Sequence, residues 1–264
     1  NTGGGFMISL STEDLVGGFQ VQTNTLINDN CLNAMKFIPD NSISLILTDP
    51  PYQITQCKWD SIIPLEPMWE QLKRVIKTNG AIVMSASQPF TTTLISSNMK
   101  MFKYCWVWEK SKATGHLNAK KRPMVKHEDI VVFYKNQPTY NPQGLIKKTS
   151  PTISKGNRGL KGDGSSGECY GKATKDAIQT HTNYPLSITK HQVDMKAEFH
   201  PTQKPLALME YLILTYTNEG ETVLDFTMGS GTTGVAAKNL NRSFIGIELD
   251  ETYFNIAKDR INNS

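Results

Sequence analysis

Cysteine is scarce in this sequence. The 264 residues carry four, Cys31, Cys57, Cys105 and Cys169, widely separated and with no Cys-x-x-Cys pair. That spacing argues against a disulfide framework or a zinc site, and it predicts reduced thiols and no bound metal. Long apolar runs are missing too. The longest, such as Leu-Ile-Leu-Thr within Ile43–Thr48, fall far short of a bilayer's width. No charged-then-apolar leader opens the chain, and Met7 reads as a native start behind a floppy lead-in. Together these absences predict a cytoplasmic, nucleoid-associated protein with no membrane partner. No internal repeat is visible. Hydrophobic residues make up 38% and are spread along the chain, which excludes low-complexity disorder. A chain of this length buries a core without staples.

Acidic residues are in short supply in one place. From Lys110 to Lys175 there are 14 Lys/Arg against 4 Asp/Glu, whereas the remainder carries 14 against 20. A basic middle on an acidic body is the footprint of a polyanion partner, nucleic acid being the commonest. The candidate phosphate contacts are Lys110, Lys112, Lys120, Lys121, Arg122, Lys147, Lys148, Lys155, Arg158 and Lys161. On charge alone a solvated lysine-rich loop reads the same way.

Residues 1–25 read as a flexible tail. Residues 26–137 alternate strands and helices. Ile43–Thr48 is a nearly continuous apolar run, as buried parallel strands are. Leu65, Met68, Trp69, Leu72, Val75 and Ile76 follow helical spacing, and Gly80 stands where a helix C-terminal glycine belongs. Segments 81–84, 104–108 and 130–134 read as strands. Residues 138–199 lose the pattern under repeated glycines and lysines, either as an ordered insertion lacking regular structure or as a loop that settles on a partner. Residues 200–264 restore it. Pro205 opens a helix with an apolar face of Leu206, Met209, Leu212, Ile213 and Tyr216. Strands at 222–226 and 244–248 alternate with helices at 232–240 and 251–261. The expected fold is one doubly wound, mostly parallel α/β sheet.

Two motifs carry chemistry. Gly229-Ser230-Gly231-Thr232-Thr233-Gly234 is a G-x-G-x-x-G turn between strand and helix, and Glu248 ends the next strand. Glycines let backbone approach a ligand, the helix start offers free N–H groups, and Glu248 can accept two ribose hydroxyls. A dinucleotide satisfies the same pattern, and so does a tight turn with no ligand. Asp49-Pro50-Pro51-Tyr52 follows directly on the apolar strand, at the sheet edge where ligands bind. The prolines remove two N–H donors, so a carboxylate and a carbonyl give two acceptors for an amino group. Tyr52 adds a flat face. Together they suit a planar ring bearing NH2, although a turn with an Asp cap and a packed Tyr fits the tetrapeptide as well.

Taken together, these segments resemble the DNA amino-methyltransferases, which use S-adenosylmethionine to methylate adenine N6 or cytosine N4. The order is Asp-Pro-Pro-Tyr, a variable segment, His-Pro-Thr-Gln-Lys-Pro (200–205), then the glycine turn. That permuted order is similar to the β group, and the resemblance covers roughly Leu26 to Ile261. It implies a Rossmann-like methyltransferase domain whose catalytic half precedes its cofactor half, with residues 138–199 recognising DNA. It also implies that Asp49, Pro50 and Tyr52 hold a flipped base while Pro51 shapes the turn. Asp225, Phe226, Thr227, Gly229, Ser230, Gly231 and Thr232 would line the methionine end of the cofactor, and Glu248 with Leu249 its ribose. His200, Thr202, Lys204 and Pro205 would complete the cofactor pocket from the other side, Asp49 would also border the cofactor, and Asp29-Asn30-Cys31 would lie by its adenine.

Two departures stand out: Asp29-Asn30 replaces the frequent Gly-Asp, and Asp225-Phe226-Thr227 replaces the usual Asp-Pro-Phe. Asp at the head of the tetrapeptide favours adenine N6 in this family, because cytosine-N4 members more often carry Ser there. Double-stranded DNA is the implied substrate. A homodimer and a restriction endonuclease of the same system are the further partners to be expected. The rival activities are cytosine-N4 methylation, and methylation of RNA or a protein amide. An NAD-dependent oxidoreductase leaves Asp49–Tyr52 unexplained, and a non-enzymatic DNA-binding module leaves both ligand motifs idle.

Overall fold

The computed structural model describes residues 7–17, 21–52, 62–154, 176–192 and 203–264. The chain begins β1 (Ile8–Ser11), α1 (Thr12–Val16), β2 (Thr25–Asn28), α2 (Cys31–Ala34), β3 (Ile43–Thr48), α3 (Leu65–Val75) and β4 (Ile76–Ala86). It continues α4 (Phe90–Ser97), β5 (Phe102–Thr114), β6 (Val125–Phe133), β7 (Ile146–Ser154), β8 (Ala177–Thr182) and β9 (Ile188–His191). The last part is α5 (Leu206–Tyr216), β10 (Thr222–Asp225), α6 (Thr232–Asn239), β11 (Ser243–Glu248) and α7 (Glu251–Asn262). No helix among the described residues is long and apolar enough to cross a membrane.

Nine strands form one sheet in the order β1-β2-β11-β10-β3-β4-β6-β5-β9. The first six are mutually parallel, β6 runs antiparallel to both β4 and β5, and β9 is parallel to β5. All six residues of β3 are buried because helices cover both faces. Ile46 packs in one layer with Met68, Trp69 and Leu72 of α3 and with Phe90 and Leu94 of α4. Leu45 and Leu47 join the opposite layer with Leu208, Leu212 and Ile213 of α5 and Ala236 of α6. The period-two alternation of strand side chains thus feeds two cores.

Three expectations need correction. The segment read as a flexible tail carries β1 and α1 within residues 7–17: Leu10 and Leu15 are buried, and Ser11 and Asp14 form a reciprocal capping box. Gly80 does not end a helix. α3 stops at Val75 and runs straight into β4, since the backbone N–H groups of Asn41 and Ser42 take the carbonyls of Arg74 and Val75 at 3.0 Å. Those carbonyls need no glycine cap. Gly80 lies inside β4, where a Cβ would stand 2.9 Å from the Ser44 carbonyl. Finally, the segment without a periodic pattern contains regular structure. Pro142–Leu186 is a separate compact unit built on an antiparallel β7–β8 pair, and β9 belongs to the main sheet.

Candidate active site

β3 and β10 are parallel neighbours, with Leu45 beside Val223 and Ile46 beside Leu224. From β3 the chain moves to β4 on one side, and from β10 to β11 on the other. Their carboxyl ends therefore form a topological switch point, the usual ligand crevice of an open α/β sheet. A cavity of about 1050 Å3 opens there. Its wall includes Asp29, Asn30, Cys31, Asp49, Pro50, Pro51, Tyr52, Lys204, Asp225, Phe226, Thr227, Gly229, Ser230, Thr232, Glu248 and Leu249. Both sequence motifs thus face one space. Of the remaining predicted cofactor residues, Pro205 caps α5 and Gly231 caps α6 without lining the cavity. His200 and Thr202 lie outside the described residues.

Hydrogen bonds tie the two motifs together. Thr48 Oγ1 donates to Asp225 Oδ1 at 2.7 Å and lies 2.6 Å from Thr227 Oγ1, which in turn donates to the Asp49 carbonyl at 3.2 Å. The Asp49 carboxylate accepts from the Tyr52 hydroxyl through Oδ1 and from Lys204 Nζ at 2.5 Å through Oδ2. Tyr52 stacks on Phe90 with ring centroids 5.3 Å apart. Burial, with the nearby Asp49 charge, raises the Tyr52 hydroxyl well above its ordinary pKa and keeps it a donor. Burial likewise pushes the Cys31 thiol up to about 12, so it stands in the wall as a neutral group.

The glycines of the turn divide their work. Gly229 and Gly231 both have positive φ, +51° and +80°. A Cβ on Gly229 would meet nothing within 4 Å, whereas one on Gly231 would stand 2.9 Å from Ala257 Cβ on α7. The open space is at Gly229, which lines the cavity, whereas Gly231, expected to serve a ligand, stays off the cavity wall and lets α7 pack. The Glu248 carboxylate accepts from the backbone N–H of Gly229 at 2.8 Å and of Asp250 at 2.9 Å. Its burial raises its pKa. Asp29 Oδ2 is buried without a hydrogen-bond partner.

Burial raises Asp225 from the ordinary 3.8 to about 6, against hydrogen bonds from Thr233, Thr48 and Thr227 that favour its ionised form. A pKa raised by folding means that the native state binds the extra proton. This contribution favours folding below the unfolded value and is lost as pH rises through about 6. Asp225→Asn removes that titration. The stability difference between variant and parent should therefore shift by about 2 kcal/mol in the variant's favour between about pH 4 and pH 7, read by urea unfolding across that range. A pH-independent difference would contradict the assignment.

The cavity joins an Asp-Pro-Pro-Tyr edge to a glycine turn and to Glu248 at the end of β11, and comparison with known proteins accounts for that pairing. A sequence model of the family described as DNA methylase matches residues 43–259. The chain belongs to this family. The type II methyltransferase M.HpaI of Haemophilus parainfluenzae is 29% identical over 252 residues, covering 90% of this chain and 74% of that protein. The type II methyltransferase M.BglII of Bacillus subtilis is 32% identical over 262 residues, covering 89% and 68%. The crystal structure of the M1.HpyAVI–SAM complex superposes with a TM-score of 0.62 at 26% identity, covering 90% of this chain and 98% of that one. The protein is a β-group DNA amino-methyltransferase dependent on S-adenosylmethionine, acting on adenine N6 or cytosine N4. The cavity suits that cofactor: Asp29 Oδ2 lacks a donor, Glu248 offers a half-buried carboxylate, and Gly229 leaves open space.

Several residues of the methyltransferase's site left no mark in the sequence. Glu128 on β6 lies 3.2 Å from Lys204 Nζ through Oε2 and holds Lys110 Nζ at 3.0 Å through Oε1. Burial alone would raise Glu128, but the two lysines outweigh it and lower its pKa. Burial opposes the Lys204 charge, yet Asp49 and Glu128 outweigh it and hold its pKa above the ordinary value. Arg260 of α7 donates to the Ser230 carbonyl at 2.5 Å and so braces the glycine turn. Among the predicted DNA contacts, Lys110 is only 12% exposed and paired with Glu128, which takes it out of the surface set. Lys112, Lys120, Lys121, Arg122 and Lys147 are exposed, and Lys148 is half-buried, donating to Thr152. Lys155, Arg158 and Lys161 lie outside the described residues.

Proposed function

We propose that the enzyme methylates adenine N6 in duplex DNA, with Asp49 and the Pro50 carbonyl accepting the two amino hydrogens of a flipped base. The observation that carries this reading is the Asp49 carboxylate at the switch point, sharing a cavity with the glycine turn. An aromatic amino nitrogen is a poor nucleophile because its lone pair is delocalised into the ring. Two acceptors draw the nitrogen toward a pyramidal shape and free that lone pair, so catalysis is alignment plus charge stabilisation. S-adenosylmethionine, when bound, supplies an electrophilic methyl group. Tyr52, held against Phe90, offers ring surface that offsets part of the few kcal/mol of unstacking. Gly229 admits the methionine end of the cofactor, Glu248 accepts from its ribose, and Asp29 takes a donor from its adenine. The exposed Lys112, Lys120, Lys121 and Arg122 supply phosphate contacts that position the duplex. The acid at position 49, where Ser marks cytosine specificity more often, supports adenine.

The test is direct. Unmethylated plasmid DNA is incubated with enzyme and cofactor, digested to nucleosides and analysed by mass spectrometry. N6-methyladenine is expected. N4-methylcytosine as the product would overturn the adenine assignment and leave the amino-methyltransferase intact.

A further inference from the structure

We propose that Lys204 is the positioning residue of Asp49, the second member of a partly buried chain of alternating charges, Asp49–Lys204–Glu128–Lys110. The inference rests on the reading of Asp49 as the acceptor for the target amino group. Lys204 Nζ contacts Asp49 Oδ2 at 2.5 Å and Glu128 Oε2 at 3.2 Å, and Lys110 Nζ contacts Glu128 Oε1 at 3.0 Å. The side chains of Lys204, Glu128 and Lys110 are 9%, 14% and 12% exposed. Ions so far out of water persist only when each finds opposite charge, and here each does.

The arrangement addresses a mechanical need. Asp49 follows β3 in a loop, and a carboxylate on a loop rotates unless something outside the loop restrains it. Glu128 and Lys110 stand on β6 and β5, paired strands of the sheet. Lys204 transmits that rigidity to Asp49 Oδ2 while the Tyr52 hydroxyl takes Oδ1. Each carboxylate oxygen has more than one acceptor direction, so both can be restrained and still receive an amino hydrogen. The same ammonium lies 5.8 Å from the Tyr52 ring centroid, opposing the carboxylates' charge beside that ring. Without Lys204, Asp49 and Glu128 would face a shared vacancy as like charges, and Asp49 would turn out of line.

The test separates rate from binding. Single-turnover transfer of labelled methyl groups from saturating S-adenosylmethionine to unmethylated plasmid DNA is measured for the parent, Lys204→Met, Lys204→Arg and Glu128→Gln. Cofactor affinity is measured by calorimetry and folding by thermal melting. Lys204→Met should slow transfer about 100-fold, the cost of a misplaced reacting group, with cofactor Kd within about threefold of the parent's. Lys204→Arg, which keeps the charge and the donors, should recover at least about tenfold of that loss. Glu128→Gln leaves Lys204 in place and should slow transfer about tenfold, which keeps the inference open to refutation where Lys204→Met does not fold.

Parent-like rates in Lys204→Met or in Glu128→Gln would overturn the inference. So would a Lys204→Met defect that appears only as lost cofactor affinity, since Lys204 would then be a cofactor ligand. A parent enzyme that transfers normally while Asp49→Ala does too would instead overturn the reading of Asp49, and the inference with it.

Discussion

Replacing Asp49 by alanine should lower methyl transfer by a factor on the order of 10³ while cofactor affinity stays within a few-fold, measured by single-turnover transfer and calorimetry. The carboxylate stands at the carboxyl end of β3, held by Tyr52 and Lys204, while the Asp49 backbone carbonyl accepts from Thr227 just before the glycine turn. Its removal takes an acceptor from the base and leaves Glu248 and Gly229 untouched. Asp49→Asn should be nearly as damaging. An amide offers one acceptor oxygen, for which Tyr52 and Lys204 already compete as donors, and its NH2 would face one of them. Full activity in either variant would remove Asp49 from the chemistry.

Valine at Gly231 should destabilise the fold by about 2–5 kcal/mol, combining about 1–2 for a left-handed backbone with about 1–3 for overpacking. The clash is with Ala257 and Ile261 of α7, so the loss should be visible in urea unfolding without any ligand. Valine at Gly229 carries only the backbone cost, about 1–2 kcal/mol, since nothing lies within 4 Å of its Cβ position. Its effect should instead fall on the cofactor, weakening S-adenosylmethionine by about tenfold or more, roughly 1.4 kcal/mol. If the two variants exchange these signatures, the division of labour within the turn is wrong.

Much of this site could be read from the chain. The apolar run Ile43–Thr48 became a buried central strand, and its following Asp-Pro-Pro-Tyr came to the ligand edge, because a strand's burial and direction are encoded over a few adjacent residues. The helix opened by Pro205 and the glycine turn before α6 were legible for the same reason. Gly80 misled because its role depends on Ser44 of a neighbouring strand, and the cap it seemed to supply comes from residues 41 and 42. The early residues misled because, among the described residues, β1 pairs with β2, whose matching residues lie seventeen positions on.

Sequence alone therefore determined the alternation of strands and helices, the two ligand motifs and their order, and with them the family. Only the tertiary structure decided that Lys204 serves Asp49 across a separation of 155 positions, that Glu128 and Lys110 stand behind it, and that Gly231 answers to α7. The physical reason is one of range. Backbone preference and apolar periodicity act between neighbours in the chain, whereas ion pairs and close packing act between neighbours in space, and strand order in the folded sheet is what makes those neighbours.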